Sequence, residues 1–359
     1  MSLINTTYVT EDGTTFRMKQ ILRVLVPRYQ TYALVLHYNN DKKALRPLEG
    51  VTIRILPGKF YLYHFLLYPY AFLQAIRIRP DIVYMINDGG YFDFYHFLTK
   101  FLGVPLVFEV HSICSKETAD RGGREDVVRE TRAYESEVIP NADHIVALSE
   151  EVEEFYRPLN PRITIIPAIV KEEEVKARGM TPSSDGTRTL GLIGPFQGRR
   201  NMGELNFVYE NLAKFDSRIR FKVIGACPEK LDDPRIEYTG FLKSKQEFLD
   251  VVAALDAVLV PSRMATFGPL TKIIEPMMCG VPVFTTPKGA IGISHLVDGT
   301  NIFITEEDGF VERVNHSLFD DALMRRAGEE AKRTIHEHFS AEANSKKLYQ
   351  LLDELMAGK

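Results

Sequence analysis

The chain contains few cysteines, three among 359 residues, and they are scattered at Cys114, Cys227 and Cys279. No two of them stand at C-x-x-C spacing, so the sequence predicts neither a disulfide framework nor a zinc site. Sparse cysteine is typical of a reducing compartment, and we expect a cytoplasmic protein. The opening residues, 2–7, are too few and too polar to act as a signal peptide, which agrees with that expectation.

The sequence also lacks an excess of charge of one sign, and it lacks long apolar runs. Lysine and arginine number 44, aspartate and glutamate 48, and the formal net charge is -4. No global basic field attracts nucleic acid, so we expect no nucleic-acid partner. The longest apolar stretch, residues 60–73, is interrupted by His64 and Pro69. It falls short of the roughly 18 residues that span a bilayer.

What the chain does contain is a regular alternation of apolar strands and helices. With 359 residues and 45% hydrophobic side chains, it has material for two domains. Strands of continuous apolar residues, separated by helices, indicate parallel sheets covered on both faces. In the first half such strands are predicted at residues 3–7, 32–38, 51–56, 82–86, 106–110, 145–148 and 163–166.

The same alternation restarts after a charged, turn-rich segment at residues 171–186. We therefore predict an α/β protein with two doubly wound, Rossmann-like domains of similar size that face each other across a cleft. Their predicted bounds are 1–168 and 169–338, and a final helix follows. Sheets of this kind bind ligands at the carboxyl ends of their strands, which directs the search for a site.

The strongest candidate site lies in residues 261–299, where a buried strand runs into a polar loop and a helix. Pro269 suits the first helical turn, and Gly280 can cap the helix. Lys272 and Glu275 stand on one helix face. A lysine near a helix N-terminus can bind a diphosphate, and a carboxylate one turn on can accept both hydroxyls of a ribose. The alternative is a solvated Lys–Glu pair, but a position at a strand end favours ligand binding.

A second candidate follows the strand at residues 190–193. Gly194 ends this strand, and Arg199 and Arg200 precede a helix. Arginine suits bidentate recognition of phosphate. No G-x-G-x-x-G occurs, which argues against the dinucleotide fingerprint. The alternative is a pair of solvated loop arginines, and phosphate binding is the favoured interpretation, more for Arg199 than for Arg200.

Residues 261–299 resemble the donor-binding signature of family-4 glycosyltransferases, which have the GT-B fold. The matching positions are Pro269, Lys272, Glu275, Met277, Gly280, Pro282, Val283, Thr286 and the glycine-rich turn at 288–292. The resemblance implies that Lys272 contacts the diphosphate of a nucleotide-sugar donor and that Glu275 contacts its ribose. It also implies that a helix in residues 339–359 crosses back to the N-terminal domain.

The resemblance assigns further residues to the donor site, namely Gly13 and Gly194 in phosphate loops, Arg199 and Arg200 at the diphosphate, Ile291 in the glycine-rich turn, and His111 facing the donor sugar. Phe267 stands where many members have a second glutamate near that sugar, so the choice of sugar is not implied. We expect residues 112–123, which follow His111, to form a loop over the cleft.

The implied reaction is a transfer, with retention of anomeric configuration, from a UDP- or GDP-sugar to a glycan or lipid-linked acceptor. His111, Arg199 and Lys272 would carry the catalysis. No D-x-D metal motif occurs, and these cations can stabilise the leaving diphosphate, so we expect neither a metal ion nor a cofactor. Two alternatives stay open: a GT-B sugar-nucleotide epimerase and a non-catalytic binding subunit.

The aromatic-rich helix predicted at residues 61–73 has two interpretations. Relatives act on lipid-linked acceptors, so an aromatic face could make a peripheral contact with the cytoplasmic face of the membrane. Alternatively, the helix packs as core on the first sheet. No lysine-rich face accompanies the aromatic residues, which favours the core interpretation.

Overall fold

The computed structural model describes residues 2–7, 13–35, 49–55, 60–86, 91–170, 186–196 and 199–358. The chain divides into two compact units, which we call unit 1 (residues 1–169 and 341–359) and unit 2 (residues 170–340). Each unit is built on a parallel sheet with helical connections, so the predicted α/β class is confirmed.

Among the described residues, the sheet of unit 1 has seven parallel strands. These are β1 (Ser2–Thr7), β2 (Gln30–Val35), β3 (Val51–Ile55), β4 (Ile82–Ile86), β5 (Leu106–Val110), β6 (His144–Ala147) and β7 (Ile163–Ile165). Their spatial order is β3-β2-β1-β4-β5-β6-β7. The order reverses between β1 and β4, which is the switch point where doubly wound sheets open a crevice for ligands.

The helices of unit 1 include one from the far end of the chain. They are α1 (Gly13–Leu25), α2 (Phe60–Ile78), α3 (Phe92–Leu102), α4 (Cys114–Asp120), α5 (Glu125–Asn141), α6 (Glu150–Tyr156) and α13 (Ala341–Ala357). Leu348, Leu351 and Leu352 of α13 share a buried core with Ile21 and Leu22 of α1. The last helix is therefore part of the first hydrophobic core.

The segment after His111 is a helix and not the loop that the sequence suggests. Its polar residues Ser115 and Glu117 are buried, at 3% and 8% exposure. Glu135 of α5 accepts hydrogen bonds from the Ser115 amide (2.9 Å) and hydroxyl (2.6 Å). A carboxylate twenty residues along the chain thus fixes the start of α4, and a polar pattern alone does not reveal that partner.

The described side chains of α2 differ from the core interpretation. Ala71 and Ala75 are buried, whereas Leu73 is 63% exposed and Tyr68 and Ile76 are each 40% exposed. This half of α2 buries a face of small residues and leaves larger apolar ones at the surface. In the part of the chain that the structure describes, no helix is both long and apolar enough to cross a membrane.

In the described part of unit 2, the sheet has six parallel strands. These are β8 (Arg188–Ile193), β9 (Ile219–Ile224), β10 (Ile236–Gly240), β11 (Ala257–Val260), β12 (Val283–Thr285) and β13 (Phe303–Ile304). Their spatial order is β10-β9-β8-β11-β12-β13. The switch point lies between β8 and β11, which pair directly through Ala257 with Leu190 and Val258 with Gly191.

The helices of unit 2 are α7 (Arg199–Asn211), α8 (Lys245–Ala253), α9 (Thr271–Met278), α10 (Pro287–Ala290), α11 (Glu307–Ser317) and α12 (Asp321–Phe339). Helix α9 begins at Thr271, so Pro269 precedes it and does not lie in its first turn. Seven of the eight residues of α9, from Lys272 to Met278, are buried. A helix that is buried all round has to approach its neighbours closely.

Two glycines allow α12 to approach the C-terminal end of α9. Gly280 has a φ of 75°, the left-handed conformation that ends a helix. A Cβ placed on Gly328 of α12 would stand 2.2 Å from the Gly280 carbonyl oxygen. Because the obstacle is backbone, it cannot move aside by changing a rotamer.

We predict that Gly328→Ala destabilises the protein by about 1–3 kcal/mol, because the overpacking outweighs the better helix propensity of alanine. The matched control is Gly203→Ala in α7, where a Cβ would meet nothing within 4 Å. That change should stabilise by about 0.5–1 kcal/mol. Urea denaturation of both variants measures the difference, and shifts of equal sign would contradict the packing described above.

Candidate functional site

The candidate residues of unit 2 gather at the carboxyl ends of β8 and β11, on either side of the switch point. Gly194 directly follows β8, and Lys272 and Glu275 lie on α9, which follows β11. Arg199 and Arg200 are the first two residues of α7. Their side chains, and residues 197–198, lie outside the described part of the structure.

The loop after β8 is held against the loop after β9 by a pair of glycines. The Gly194 amide donates to the Ile224 carbonyl at 3.1 Å. Gly225 has a φ of 120°, and a Cβ there would stand 2.2 Å from the Gly194 carbonyl oxygen. Asn201 of α7 donates from Nδ2 to the Pro195 carbonyl at 2.9 Å. Both loops therefore depend on backbone contacts that exclude larger residues.

Lys272 is buried in an ion pair between α9 and α7. Lys272 is 8% exposed, and its Nζ donates to Asn201 Oδ1 at 3.0 Å. The same ammonium contacts Glu204 Oε2, and Glu204 is 2% exposed. The alternative of a solvated surface lysine is therefore wrong. Asn201 joins the ammonium to the loop after β8 through its second hydrogen bond.

Glu275 pairs with a different helix. It is 7% exposed, and its Oε1 contacts the Nζ of Lys245, the first residue of α8. The Lys245 ammonium also lies 4.5 Å from the centroid of the Phe248 ring. Lys272 and Glu275 thus stand one turn apart on α9, and each meets an opposite charge from a neighbouring helix.

The glycine-rich turn of unit 2 packs on the loop after β11. Ile291 ends α10 and is half-buried, and Gly292 follows it with a φ of 84°. A Cβ on Gly292 would stand 2.6 Å from the Phe267 carbonyl oxygen. Thr286 caps α10 and donates from its hydroxyl to the Ser262 carbonyl at 2.6 Å. The loop that carries Phe267 therefore forms one wall with the glycine-rich turn.

In unit 1, His111 follows β5 and is held by a buried carboxylate. His111 Nε2 lies 2.8 Å from Glu109 Oε1. Arg17 of α1 forms a bidentate pair with Glu109, at 2.9 Å and 3.1 Å. The Tyr84 hydroxyl donates to Glu109 Oε2 at 2.5 Å. The predicted residue Gly13 is the first residue of α1, the helix that supplies Arg17.

Burial raises the pKa of Glu109, but Arg17 and the hydrogen bond from His111 outweigh it and lower the pKa to about 2. Glu109 is wholly buried and Arg17 is 4% exposed, so little water screens the pair. The carboxylate is therefore ionised through the physiological range and keeps His111 in one orientation.

Sequence reasoning missed the residues that hold the candidate side chains, namely Arg17, Glu109, Asn201, Glu204 and Lys245. One signal was present for Glu109, since it is the single charge in the strand Leu106–Val110. An acid inside an otherwise apolar buried strand requires a partner. The partners themselves lie 30 to 92 residues away along the chain, and no local pattern identifies them.

We predict that Glu109→Gln destabilises the protein at neutral pH and that the difference from wild type shrinks in acid. The lowered pKa stabilises the fold above about pH 4.5, and this contribution is lost as pH falls towards 2. Over that window the difference in unfolding free energy should close by about 3 kcal/mol. Exposed Glu130→Gln is the control, and a difference that stays constant from pH 6 to pH 3 would contradict the prediction.

Two family models match the chain. Residues 12–174 match the model described as Glycosyltransferase Family 4, and residues 187–320 match Glycosyl transferases group 1. A curated relative, N-acetyl-alpha-D-glucosaminyl L-malate synthase from Bacillus anthracis, is 26% identical over 225 residues. The match covers 58% of this chain and 57% of the relative, so the chain spans little more than half of that protein's length.

Solved structures resemble the chain over its whole length. Anabaena HepE, solved with UDP and glucose, has a TM-score of 0.72 at 16% identity and covers 99% of this chain and 100% of its own. Sucrose-phosphate synthase from Thermosynechococcus elongatus has a TM-score of 0.76 at 14% identity, with 100% of both chains covered. At these identities the likeness shows the fold, which is the predicted GT-B fold. The two family models, which together match residues 12–174 and 187–320, show that the chain belongs to glycosyltransferase family 4.

Proposed function

We propose that this protein transfers a sugar from a nucleotide-diphosphate sugar to a glycan or lipid-linked acceptor, with retention of anomeric configuration and without a metal ion. The observation that carries the proposal is the placement of Lys272 and Glu275. Both are buried, one turn apart on α9, at the switch point of unit 2. Relatives of the same fold support a UDP-sugar donor, since HepE was solved with UDP-glucose.

The residues have separate roles in this reaction. Lys272 and Arg199, with Arg200 beside it and the amides near Gly194, bind the diphosphate, and Glu275 accepts hydrogen bonds from the ribose hydroxyls. The anomeric C–O bond breaks and its electron pair stays on the leaving diphosphate, whose growing charge the cations stabilise. The acceptor oxygen bonds to the anomeric carbon on the same face, and its proton passes to the leaving phosphate.

The proposal also assigns roles to residues of unit 1. His111 contacts the donor sugar, and the Arg17–Glu109 pair fixes the orientation of the His111 imidazole ring. Gly13 is the first residue of the helix that carries Arg17, and the proposal assigns it to a phosphate loop. Ile291 of unit 2 belongs to the proposed donor site as part of the glycine-rich turn, which packs on the loop that carries Phe267.

An exposed apolar surface on α2 and α3 supports peripheral contact with a membrane that carries the acceptor. Leu73, Phe97 and Phe101 are 60–63% exposed, and the rings of Phe97 and Phe101 stack with centroids 6.4 Å apart. Large apolar residues that cluster at a surface are typical of interaction sites.

We predict that Lys272→Met weakens binding of UDP or GDP, whichever the wild type prefers, about 10- to 100-fold, because a charge-assisted contact is lost. Binding of the matching nucleoside, which has no phosphate, should be unchanged. Glu275→Gln should reduce the preference for the ribonucleotide over its 2′-deoxy form. Isothermal titration measures these affinities.

The control for these titrations is Lys214→Met, since Lys214 is an exposed lysine of unit 2 that pairs with Asn211 at 2.9 Å. It should bind as wild type does. Equal affinity of Lys272→Met and wild type for the diphosphate would remove the basis of the proposed donor site.

We predict that chelation with EDTA leaves the transfer rate unchanged, because lysine and arginine supply the charge that a metal would supply. The assay follows release of the nucleoside diphosphate with an acceptor present. A rate that falls in EDTA and returns on addition of Mg²⁺ or Mn²⁺ would contradict the metal-independent part of the proposal.

A further inference from the structure

Glu204 meets the Lys272 ammonium at the position that the proposed function gives to the donor diphosphate. Its Oε2 contacts Nζ, and both residues are at most 8% exposed. An ammonium has three donors, and two of them face Asn201 and Glu204. A phosphate that binds Lys272 therefore shares the ammonium with Glu204 or displaces the carboxylate.

The second oxygen of Glu204 distinguishes this pair from a structural one. Oε1 is buried and has no hydrogen-bond partner among the residues that the structure describes. Glu109 of unit 1 is the comparison within the same chain, since Arg17, Tyr84 and His111 occupy both of its oxygens. A buried ion pair stabilises a fold only when its remaining polar atoms are satisfied. The Glu204–Lys272 pair does not meet that condition, so stability alone does not account for it.

We propose that Glu204 is an internal competitor of the diphosphate for Lys272, and that it promotes release of the nucleoside diphosphate after transfer. The inference rests on the proposed role of Lys272. Without donor, Glu204 neutralises the buried ammonium. When a diphosphate binds, Glu204 repels it across a short distance in a site from which most water is excluded.

The repulsion is stronger for the product than for the donor. The diphosphate of a nucleotide sugar is esterified at both ends and carries two negative charges. The free nucleoside diphosphate has a terminal phosphate that ionises again near pH 6, so it carries about three charges at pH 8. Glu204 therefore weakens product binding more than donor binding, and it acts as a specificity residue for the charge of the ligand.

The test compares Glu204→Gln with wild type for UDP and UDP-glucose at pH 8, with GDP and GDP-mannose titrated in parallel. The amide keeps the shape and an acceptor for Lys272 but removes the charge. We expect the free diphosphate to bind about tenfold tighter and the sugar nucleotide about fivefold tighter, since the repulsion scales with ligand charge. The ligand-free variant should melt at a lower temperature, because a buried ammonium loses its counter-charge.

A lower melting temperature together with tighter diphosphate binding would identify Glu204 as a competitor, since a merely structural role would lower both stability and affinity. The control is Glu210→Gln, which removes an exposed charge from the same helix, where Glu210 pairs with Arg263 at 3.3 Å. It should leave both affinities within twofold of wild type. If Glu204→Gln does not fold, Glu204→Asp is tested in its place. Its side chain is one methylene shorter, so the carboxylate lies farther from the diphosphate, and UDP should bind about threefold tighter.

Two results would overturn the inference and can be told apart from failure of the proposed function. If Glu204→Gln or the aspartate variant binds UDP no tighter than wild type while Lys272→Met loses binding, Glu204 does not compete and the donor site stands. If Lys272→Met binds UDP as wild type does, the assignment of Lys272 fails first. Where Lys272→Met does not fold, Lys272→Met/Glu204→Gln removes both charges together and is compared with Glu204→Gln, relative to which it should bind UDP about 10- to 100-fold more weakly.

Discussion

Burial of charge at the ends of parallel strands is the constraint on which both units depend. An unpaired ion in a protein interior is unstable by several kcal/mol, so each buried charge requires an opposite one. Glu109 is paired by Arg17, Lys272 by Glu204, and Glu275 by Lys245. In every pair the partner comes from a different helix than the one that follows the strand in question. The pairs therefore tie helices to the strand ends and fix the distances between them.

The two units use this constraint to different extents. In unit 1 the carboxylate at the strand end is fully hydrogen-bonded, which gives a rigid support for the half-buried ring of His111. In unit 2 the lysine and glutamate of α9 are each paired with one side chain of a neighbouring helix, and under the proposed function the charges of a ligand compete for both. A site of the first kind orients one side chain, whereas under the proposed function a site of the second kind exchanges partners when the ligand binds.

Much of the fold could be predicted from the sequence because the central strands of both sheets are mostly apolar. The bounds predicted for β4 and β5 agree with the structure at both ends, since each of these strands is buried along its whole length. Helix α4 was missed because the carboxylate that holds its first turn at Ser115 belongs to Glu135, twenty residues further along the chain. Lys272 and Glu275 could be selected from their spacing, but Glu204 and Lys245 could not, because contacts between helices leave no local pattern.

The return of α13 to unit 1 has a consequence for synthesis. Unit 2 is continuous in the chain, whereas the core of unit 1 needs Leu348, Leu351 and Leu352 from α13. Nascent chains fold as their segments emerge from the ribosome. The surface of α1 that α13 covers in the folded protein therefore stays exposed until the whole of unit 2 has been synthesised. A chaperone that recognises exposed leucine and isoleucine could therefore bind the α1 segment, near the start of the chain, until late in translation.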